Sequence, residues 1–573
     1  MERLWERSDL YALSPSRPRP LVSSDEIYEI GLRLLSDGGI FYSPSESELT
    51  ALAEKLIESG AKAIGLGILH SAQYPEHEIG VAEKIESLTG IRVFASSSLA
   101  AFPREYERWG LASLAAYLAP VLGKYLEELS ERCQSRVALM GSSGGLIPAR
   151  HANANPASCV LSGPAGGALA AMASGRSRVL ALDMGGTSTD VTLLAGRIPR
   201  TRESEIDGLP IPLPMIDIHT IGAGGGSIVH FDTGGMLALG PKSAGAVPGP
   251  ACYGHGGPAT LSDAALVAGR LISGRFLDGA MPLDILASRN ALESARPAMM
   301  KVDELIDGVI NLACVHLTGA LRRISVARGI DPSIKDKMFT LVPFGGAGAL
   351  FAVECARELG LSEVLHPRAA GVFSAIGLLT APIALERETA LLESAMNARD
   401  SILSSLDRLK AEIAGDFTEL NQSVEPVFTT NVEARYRGQT HSLEIALPER
   451  IDGDSLKRSF EAAYRERYTY THPDSDVEIV AIRLRGEISG GEIEIDDIET
   501  GNRNFERSKI GDSTIRFDRK WMNAPIYERK TVPIESEIQG PALISEDFDT
   551  LVLPPDSSMH LDRKGNAIIT VNG

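Results

Sequence analysis

Residues 181–191 read ALDMGGTSTDV, and this stretch decides the fold. The residues before it, Val179-Leu180-Ala181-Leu182, are apolar and strand-like, and so is Val191-Thr192-Leu193-Leu194 after it. The pattern predicts a strand, a tight Gly-Gly turn and a second strand, with Asp183 and Asp190 at the two ends of the loop. Glycines let a ligand approach the backbone closely. The hydroxyls of Thr187 and Thr189, with exposed N–H groups at Gly185 and Gly186, suit phosphate oxygens, and the two aspartates suit Mg²⁺ held directly or through water. An ordinary Asp-rich turn is the competing reading of this loop taken alone.

It is not alone. Between about 136 and 385 glycine falls in clusters at the ends of apolar runs: RVALMGSSGGLIP, LSGPAGGALAA, IGAGGGSIV and VPFGGAGALFAV. GPAGG (163–167) leads into ALAAMASG, so it either opens a helix whose N–H groups meet an anion or permits close helix packing. IGAGGGSI (221–228) superficially resembles a dinucleotide fingerprint, but strand-like IVHFD follows it where a helix is required, so it reads as a hairpin or loop lined by backbone N–H, including Gly224 and Gly225. FGGAG (344–348) lies between a strand and a helix, and Gly345, Gly346 and Gly348 there would let a purine or ribose lie on the backbone.

The surroundings narrow the class. A chain of 573 residues exceeds one core. Its net charge of −19 argues against nucleic acid or an anionic membrane as partner. The five cysteines (Cys133, Cys159, Cys252, Cys314, Cys355) are scattered without CxxC spacing, which favours a reducing, cytoplasmic setting. The start, MERLWERSDLY, has no apolar core of a signal peptide, and no apolar run is expected to reach the roughly 18–20 residues of a membrane helix. The character of the sequence divides it into a connector (1–25), a small α/β domain (26–135), a ligand-binding-type core (136–389) and a β-rich C-terminal domain (390–573). In the second of these, SESELTALAEKLIESG and HEIGVAEKIESLTG read as helices, the first with a capping-box start, and AKAIGLGILHS and IRVFASS as strands.

Other polar residues have weaker patterns. Asp217 and His219, then His230 and Asp232, bracket the IGAGGGSI loop as D-x-H and H-x-D; residues two apart share a strand face, so Asp217 and His219 are a candidate site for a second divalent metal. Cys252 and His255 have the spacing of one chelating pair without a second. Lys242 is a candidate cation for a phosphate or carboxylate, and Asp263 opens a helix, where capping alone explains an acid. His70 and His77 read as structural.

Taken together, LSGPAGG, DMGGTSTDV, HTIGAGGGSI, GPKSAGAVPGPACYG, LSDAALVAGRL, FGGAGALFA and GVFSAIGLL resemble the hydantoinase A and 5-oxoprolinase family, which includes ATP-using subunits of ketone carboxylases. The resemblance spans nearly the whole chain. It implies an α/β, actin/sugar-kinase/chaperone-ATPase-like nucleotide-binding core, with DMGGTSTD as the second phosphate hairpin and FGGAG as the adenosine turn. By the same resemblance the ligands are ATP and Mg²⁺, and the activity is phosphorylation of a cyclic-amide carbonyl oxygen that promotes ring opening. Asp183 and Asp190 would be catalytic and metal-binding, and a hydantoinase B-like subunit the partner. A ketone carboxylase subunit and a nucleotide-binding, non-catalytic scaffold are the alternatives. Relatives carry a further DxGGTxTD hairpin near the N-terminus, and this sequence has one copy, at 183–190. The expectation is therefore that the family's N-terminal phosphate-loop region is lacking, and that another chain supplies it, the sequence starts late, or ATP hydrolysis is lost.

Overall fold

The computed structural model describes residues 20–133, 137–202, 204–206, 209–334, 338–419, 424–491, 497–498, 503–534 and 536–572. Most of the connector expected at 1–25 lies outside them. The chain forms two compact units, each assembled from three separate segments. One comprises residues 1–162, 200–215 and 382–490; the other 163–199, 216–381 and 491–573. The contiguous divisions read from sequence character cut the chain differently, because strands of both the core stretch and the C-terminal stretch are shared out between the two units.

In the first unit, helix Glu46–Glu58 starts at the expected capping box. Ser45 N–H donates to Glu48 Oε2 at 2.7 Å, and Leu49, Ala53 and Leu56 point inward at helical spacing. Strands Ala63–Leu66 and Arg92–Ala95 pair in parallel, and helix Pro75–Thr89 between them ends on left-handed Gly90. A six-stranded sheet in the order Leu443–Ala446, Val427–Tyr436, Val477–Ile488, Ile383–Ser394, Leu146–Pro148, Ala138–Met140 belongs to the same unit, as do helices Glu105–Arg132 and Gly453–Tyr468. Helix Arg399–Glu419 covers it with Ile402, Leu409, Ile413 and Phe417. That helix begins at Arg399, after Leu391–Ser394 have completed a strand.

The second unit is built on an eight-stranded mixed sheet. Its strands are β1 (Arg178–Met184), β2 (Thr189–Ala195), β3 (His219–Ile221), β4 (Thr340–Phe344), β5 (Glu363–His366), β6 (Ile538–Gln539), β7 (Ser557–Leu561) and β8 (Ala567–Val571), in the order β3-β2-β1-β4-β5-β8-β7-β6. β1 and β2 form the predicted hairpin, and β4 lies parallel to β1. This is the expected α/β nucleotide-binding architecture. β1 reads as a nearly continuous apolar run because both of its faces are covered.

Helix Val302–Val326 is long and apolar enough to cross a membrane by length and composition, although charged residues stand near both of its ends. Half of it is buried, and Leu305, Ile306, Val309, Ala313, Leu317 and Leu321 pack into the core of this unit. It has the pattern of a central helix in a globular core.

GPAGG lies inside helix Ser162–Met172 and serves packing. A Cβ on Gly166 would come within 2.6 Å of the Ser374 carbonyl oxygen, and one on Gly377 within 1.8 Å of the Gly166 carbonyl oxygen. The glycines thus let two helices touch backbone to backbone, and the close-packing reading of this motif is the one the fold uses.

Candidate nucleotide site

Asp183 and Asp190 face each other across the β1–β2 hairpin, as a directly opposed pair in the antiparallel register. Opposed residues project to the same side of a sheet, so two carboxylates share one edge of the loop. Each has a hydroxyl partner: Ser374 Oγ donates to Asp183 Oδ2 at 3.4 Å, and Thr220 Oγ1 to Asp190 Oδ1 at 2.5 Å. Burial, and next the charge of Asp190, push the Asp183 carboxyl up to about 6. Burial also raises Asp190, with the Thr220 hydrogen bond working against the rise. A pair that resists ionisation in this way is matched to a cation, which would remove both penalties.

Three loops meet at this edge. The hairpin turn exposes Gly186 and Thr187. The IGAGGGSI loop packs beneath it: Gly225 N–H donates to Gly185 O at 3.0 Å and Gly226 N–H to Gly186 O at 2.6 Å. The FGGAG turn closes the third side, with Gly345 N–H donating to Ala370 O and Ala347 N–H to Met184 O. Side chains are excluded where the loops meet. A Cβ on Gly224 would fall 2.7 Å from the Thr187 carbonyl carbon, and one on Gly345 2.6 Å from Asp183 Oδ1. On the open side, a Cβ on Gly186 or Gly346 would meet nothing within 4 Å.

The glycines expected to bind cofactor therefore fall into two groups. Gly186 and Gly346 line the open face, with the Thr187 hydroxyl beside them, whereas the Gly185 N–H, expected to be exposed, is committed to Ser188 O at 3.1 Å. Gly224, Gly225, Gly345 and Gly348 build the cradle from behind: the Gly224 and Gly225 N–H groups are committed to Ser227 Oγ and Gly185 O, and Gly348 is buried. Thr189 corrects the expectation of a phosphate-binding hydroxyl. It is fully buried and donates to Ala223 O, tying the hairpin to the glycine loop.

The second metal site is also corrected. Asp217 forms an ion pair with Arg328, and burial followed by the charge of Arg323 keeps the His219 imidazole below its ordinary range. A carboxylate already neutralised by a guanidinium, beside an arginine, offers no convergent ligand set. Asp232 accepts from Gly234 N–H and Met236 N–H at 2.8 Å in the turn of the hairpin Ser227–Phe231/Leu237–Ser243, while His230 is exposed.

Cys252 is buried beside Asp263, and burial first and that carboxylate next raise its thiol, the reverse of an activated nucleophile. His255 is exposed. Asp263 is a buried structural clamp. It takes hydrogen bonds from Ala251, Cys252 and Thr260 N–H and from the Thr260 and Ser288 hydroxyls. Lys242 is exposed on its strand.

Sequence reasoning missed Ser374 and Thr220. Both lie within quoted motifs, GVFSAIGLL and HTIGAGGGSI, but their pairing with Asp183 and Asp190 is made by the sheet, across 191 and 30 residues.

With this geometry in place, likeness to known proteins can be weighed. The hydantoinase/oxoprolinase family model matches residues 110–387, its C-terminal domain 389–566 and its N-terminal region 2–89. The caprolactamase subunit alpha of Pseudomonas jessenii is 31% identical over 561 residues, covering 93% of this chain and 80% of that one. The chain belongs to the hydantoinase/oxoprolinase family.

The match over 2–89 corrects one expectation: the family's N-terminal region is represented in this member, although DMGGTSTD occurs once. Among solved structures, the ATP-dependent caprolactamase of the same organism is similar with a TM-score of 0.79 at 29% identity, covering 95% of this chain and 82% of that one. Nucleotide-free acetone carboxylase is similar with a TM-score of 0.77 at 26% identity, covering 94% and 81%.

Proposed function

We propose that this family member is the ATP-using subunit of a cyclic-amide hydrolase and that its nucleotide site is the Asp183–Asp190 hairpin. The observation that carries the reading is the opposed, partly buried carboxylate pair at the rim of an open glycine cradle. Asp183 and Asp190 would hold Mg²⁺, with Ser374 and Thr220 fixing their rotamers. The exposed Gly186 backbone and the Thr187 hydroxyl would face phosphate oxygens, and Gly346 the adenosine. Bound ATP supplies the phosphoryl group that makes an amide carbonyl oxygen a competent leaving group. The residues of this chain position the reactants and offset charge, the main protein contributions to such a transfer. A hydantoinase B-like second subunit completes ring opening in this reading, in keeping with the subunit naming of the caprolactamase relative.

The test is phosphate release from ATP by the chain together with its candidate partner subunit. Stimulation by a lactam or hydantoin, lost in Asp190→Asn, is the expected result. Stimulation by a ketone with bicarbonate would move the chain to the carboxylase branch, to which the acetone carboxylase likeness also points. Nucleotide binding without turnover under either condition would leave a scaffold subunit.

A further inference from the structure

The stretch GPKSAGAVPG (240–249) lies beside the nucleotide hairpin, and Ser243 is its point of contact. Ser243 ends the strand Leu237–Ser243, opposite Ser227 of the strand Ser227–Phe231. Two backbone bonds fix this strand end against the turn of the β1–β2 hairpin. Ala244 N–H donates to Gly226 O at 2.9 Å, and Gly226 N–H donates to Gly186 O at 2.6 Å. A Cβ on Gly226 would stand 3.0 Å from Ser243 Oγ and 2.9 Å from Gly186 O, so glycine is what lets the serine come this close.

The result is a pair of facing hydroxyls. Ser243 Oγ lies 3.5 Å from Thr187 Oγ1, beyond the roughly 2.5–3.0 Å of a well-formed bond between hydroxyls. Ser243 Oγ also accepts from Gly245 N–H at 3.1 Å, which occupies a lone pair and leaves its proton uncommitted. Thr187 is exposed and Ser243 half-buried, so a ligand can reach this pair from solvent. One oxygen placed between the two hydroxyls can accept from both.

The order of groups around the rim gives a direction. A Cβ on Gly345 would come within 2.6 Å of Asp183 Oδ1, so the FGGAG turn adjoins the carboxylate pair at the base of the hairpin. Ser243 adjoins Thr187 at the other end, in the turn beyond the last paired residues, Met184 and Thr189. With the nucleoside on FGGAG and Mg²⁺ on the aspartates, the phosphates run from the base of the hairpin towards its turn, and the last of them meets the two hydroxyls.

We infer that Ser243, together with Thr187, contacts the terminal phosphate of bound ATP and is the residue by which this site tells ATP from ADP, an inference that rests on the nucleotide reading proposed above. A diphosphate in the same cradle ends short of Ser243.

The test is calorimetric titration of the full chain and of its Ser243→Ala variant with two ligands. One is Mg·ADP, and the other is the Mg²⁺ complex of the non-hydrolysable β,γ-imido analogue of ATP. The variant should bind the triphosphate analogue about tenfold more weakly than wild type, the scale of one hydrogen bond to a charged group. Its affinity for Mg·ADP should stay within about twofold of wild type, which also shows that the cradle is intact.

Equal loss of both nucleotides in Ser243→Ala would overturn the inference, because the serine would then shape the cradle without reading the last phosphate. Undiminished affinity for the triphosphate analogue would overturn it as well, while leaving the nucleotide site in place. A wild-type chain that binds neither ligand would overturn the nucleotide reading itself and this inference with it.

Discussion

Gly345 and Asp183 are in mutual steric dependence: any Cβ at 345 would stand 2.6 Å from Asp183 Oδ1 and from Met184 O, at a backbone φ of +77°. Gly345→Ala combines left-handed strain with overpacking against the carboxylate, for an expected loss of about 2–4 kcal/mol. Gly186→Ala separates structure from function at the same site. Its Cβ would enter open space, so stability should stay within about 0.5 kcal/mol of wild type. Affinity for Mg·ATP should nevertheless fall at least about tenfold, because the methyl group projects where phosphate must approach. Denaturant unfolding and calorimetric titration of both variants check this; undiminished nucleotide affinity in Gly186→Ala would remove the hairpin from the site.

The raised carboxyl of Asp183 makes the site a source of instability in the metal-free protein. Its folded value of about 6 lies above the ordinary 3.8, so the folded state holds the proton more tightly than the unfolded one. The associated stability is full below pH 3.8 and lost as pH rises through 6. At pH 8 the ionised group costs up to about 3 kcal/mol. Asp183→Asn should therefore unfold at higher urea than wild type at pH 8 in EDTA, with the difference vanishing near pH 4. Mg²⁺ with ATP should narrow the gap by stabilising wild type alone. A variant less stable than wild type at pH 8 would contradict the burial argument.

The parts of this site that sequence made legible are local ones. DMGGTSTD gave the hairpin and its facing aspartates because an antiparallel register follows from a short turn, and IGAGGGSI was excluded as a dinucleotide fold because the element after it is a strand. The role of each glycine was not legible. Gly224 and Gly186 look alike in sequence, and only the third dimension shows that one is pressed against backbone while the other is open. The two discontinuous units, the Ser374–Asp183 bond and the approach of Ser243 to Thr187 all depend on segments far apart in the chain, for which periodicity carries no signal.

Arg270 is another such feature, and it supports the FGGAG turn from below. The guanidinium is almost fully buried and lies over the rings of Phe351 and Phe517. It donates to Leu350 O at 2.9 Å and makes a two-pronged pair with Glu354 at 2.6 and 2.5 Å. Removing one partner of a buried pair leaves the other charge uncompensated, so Glu354→Ala should cost about 3–5 kcal/mol. Arg270→Met with Glu354→Leu should recover most of that loss, measured by urea unfolding. Equal destabilisation of the single and double variants would mean that packing, not charge, dominates there.

At the far end of β5, the fully buried His366 is held between acids and a base. Arg529 donates to its Nδ1 at 2.8 Å and to its carbonyl oxygen at 2.9 Å, so Nε2 carries the proton and donates to Asp549 Oδ2 at 3.0 Å. Glu546 also faces the ring and pairs with Arg529. Burial, although Asp549 opposes it, lowers the imidazole from its ordinary 6.5. The unfolded chain then takes up a proton that the folded chain refuses, so stability from this group is present above about pH 6.5 and is lost as pH falls below it. His366→Gln should reduce stability at pH 7.5 by about 1–3 kcal/mol, through the broken hydrogen bonds. The same variant should lose less stability than wild type between pH 7.5 and 5.5, since glutamine has no proton to gain. Curves that fall in parallel over that interval would show that the folded imidazole takes up its proton as the unfolded one does, so that Asp549 cancels the effect of burial.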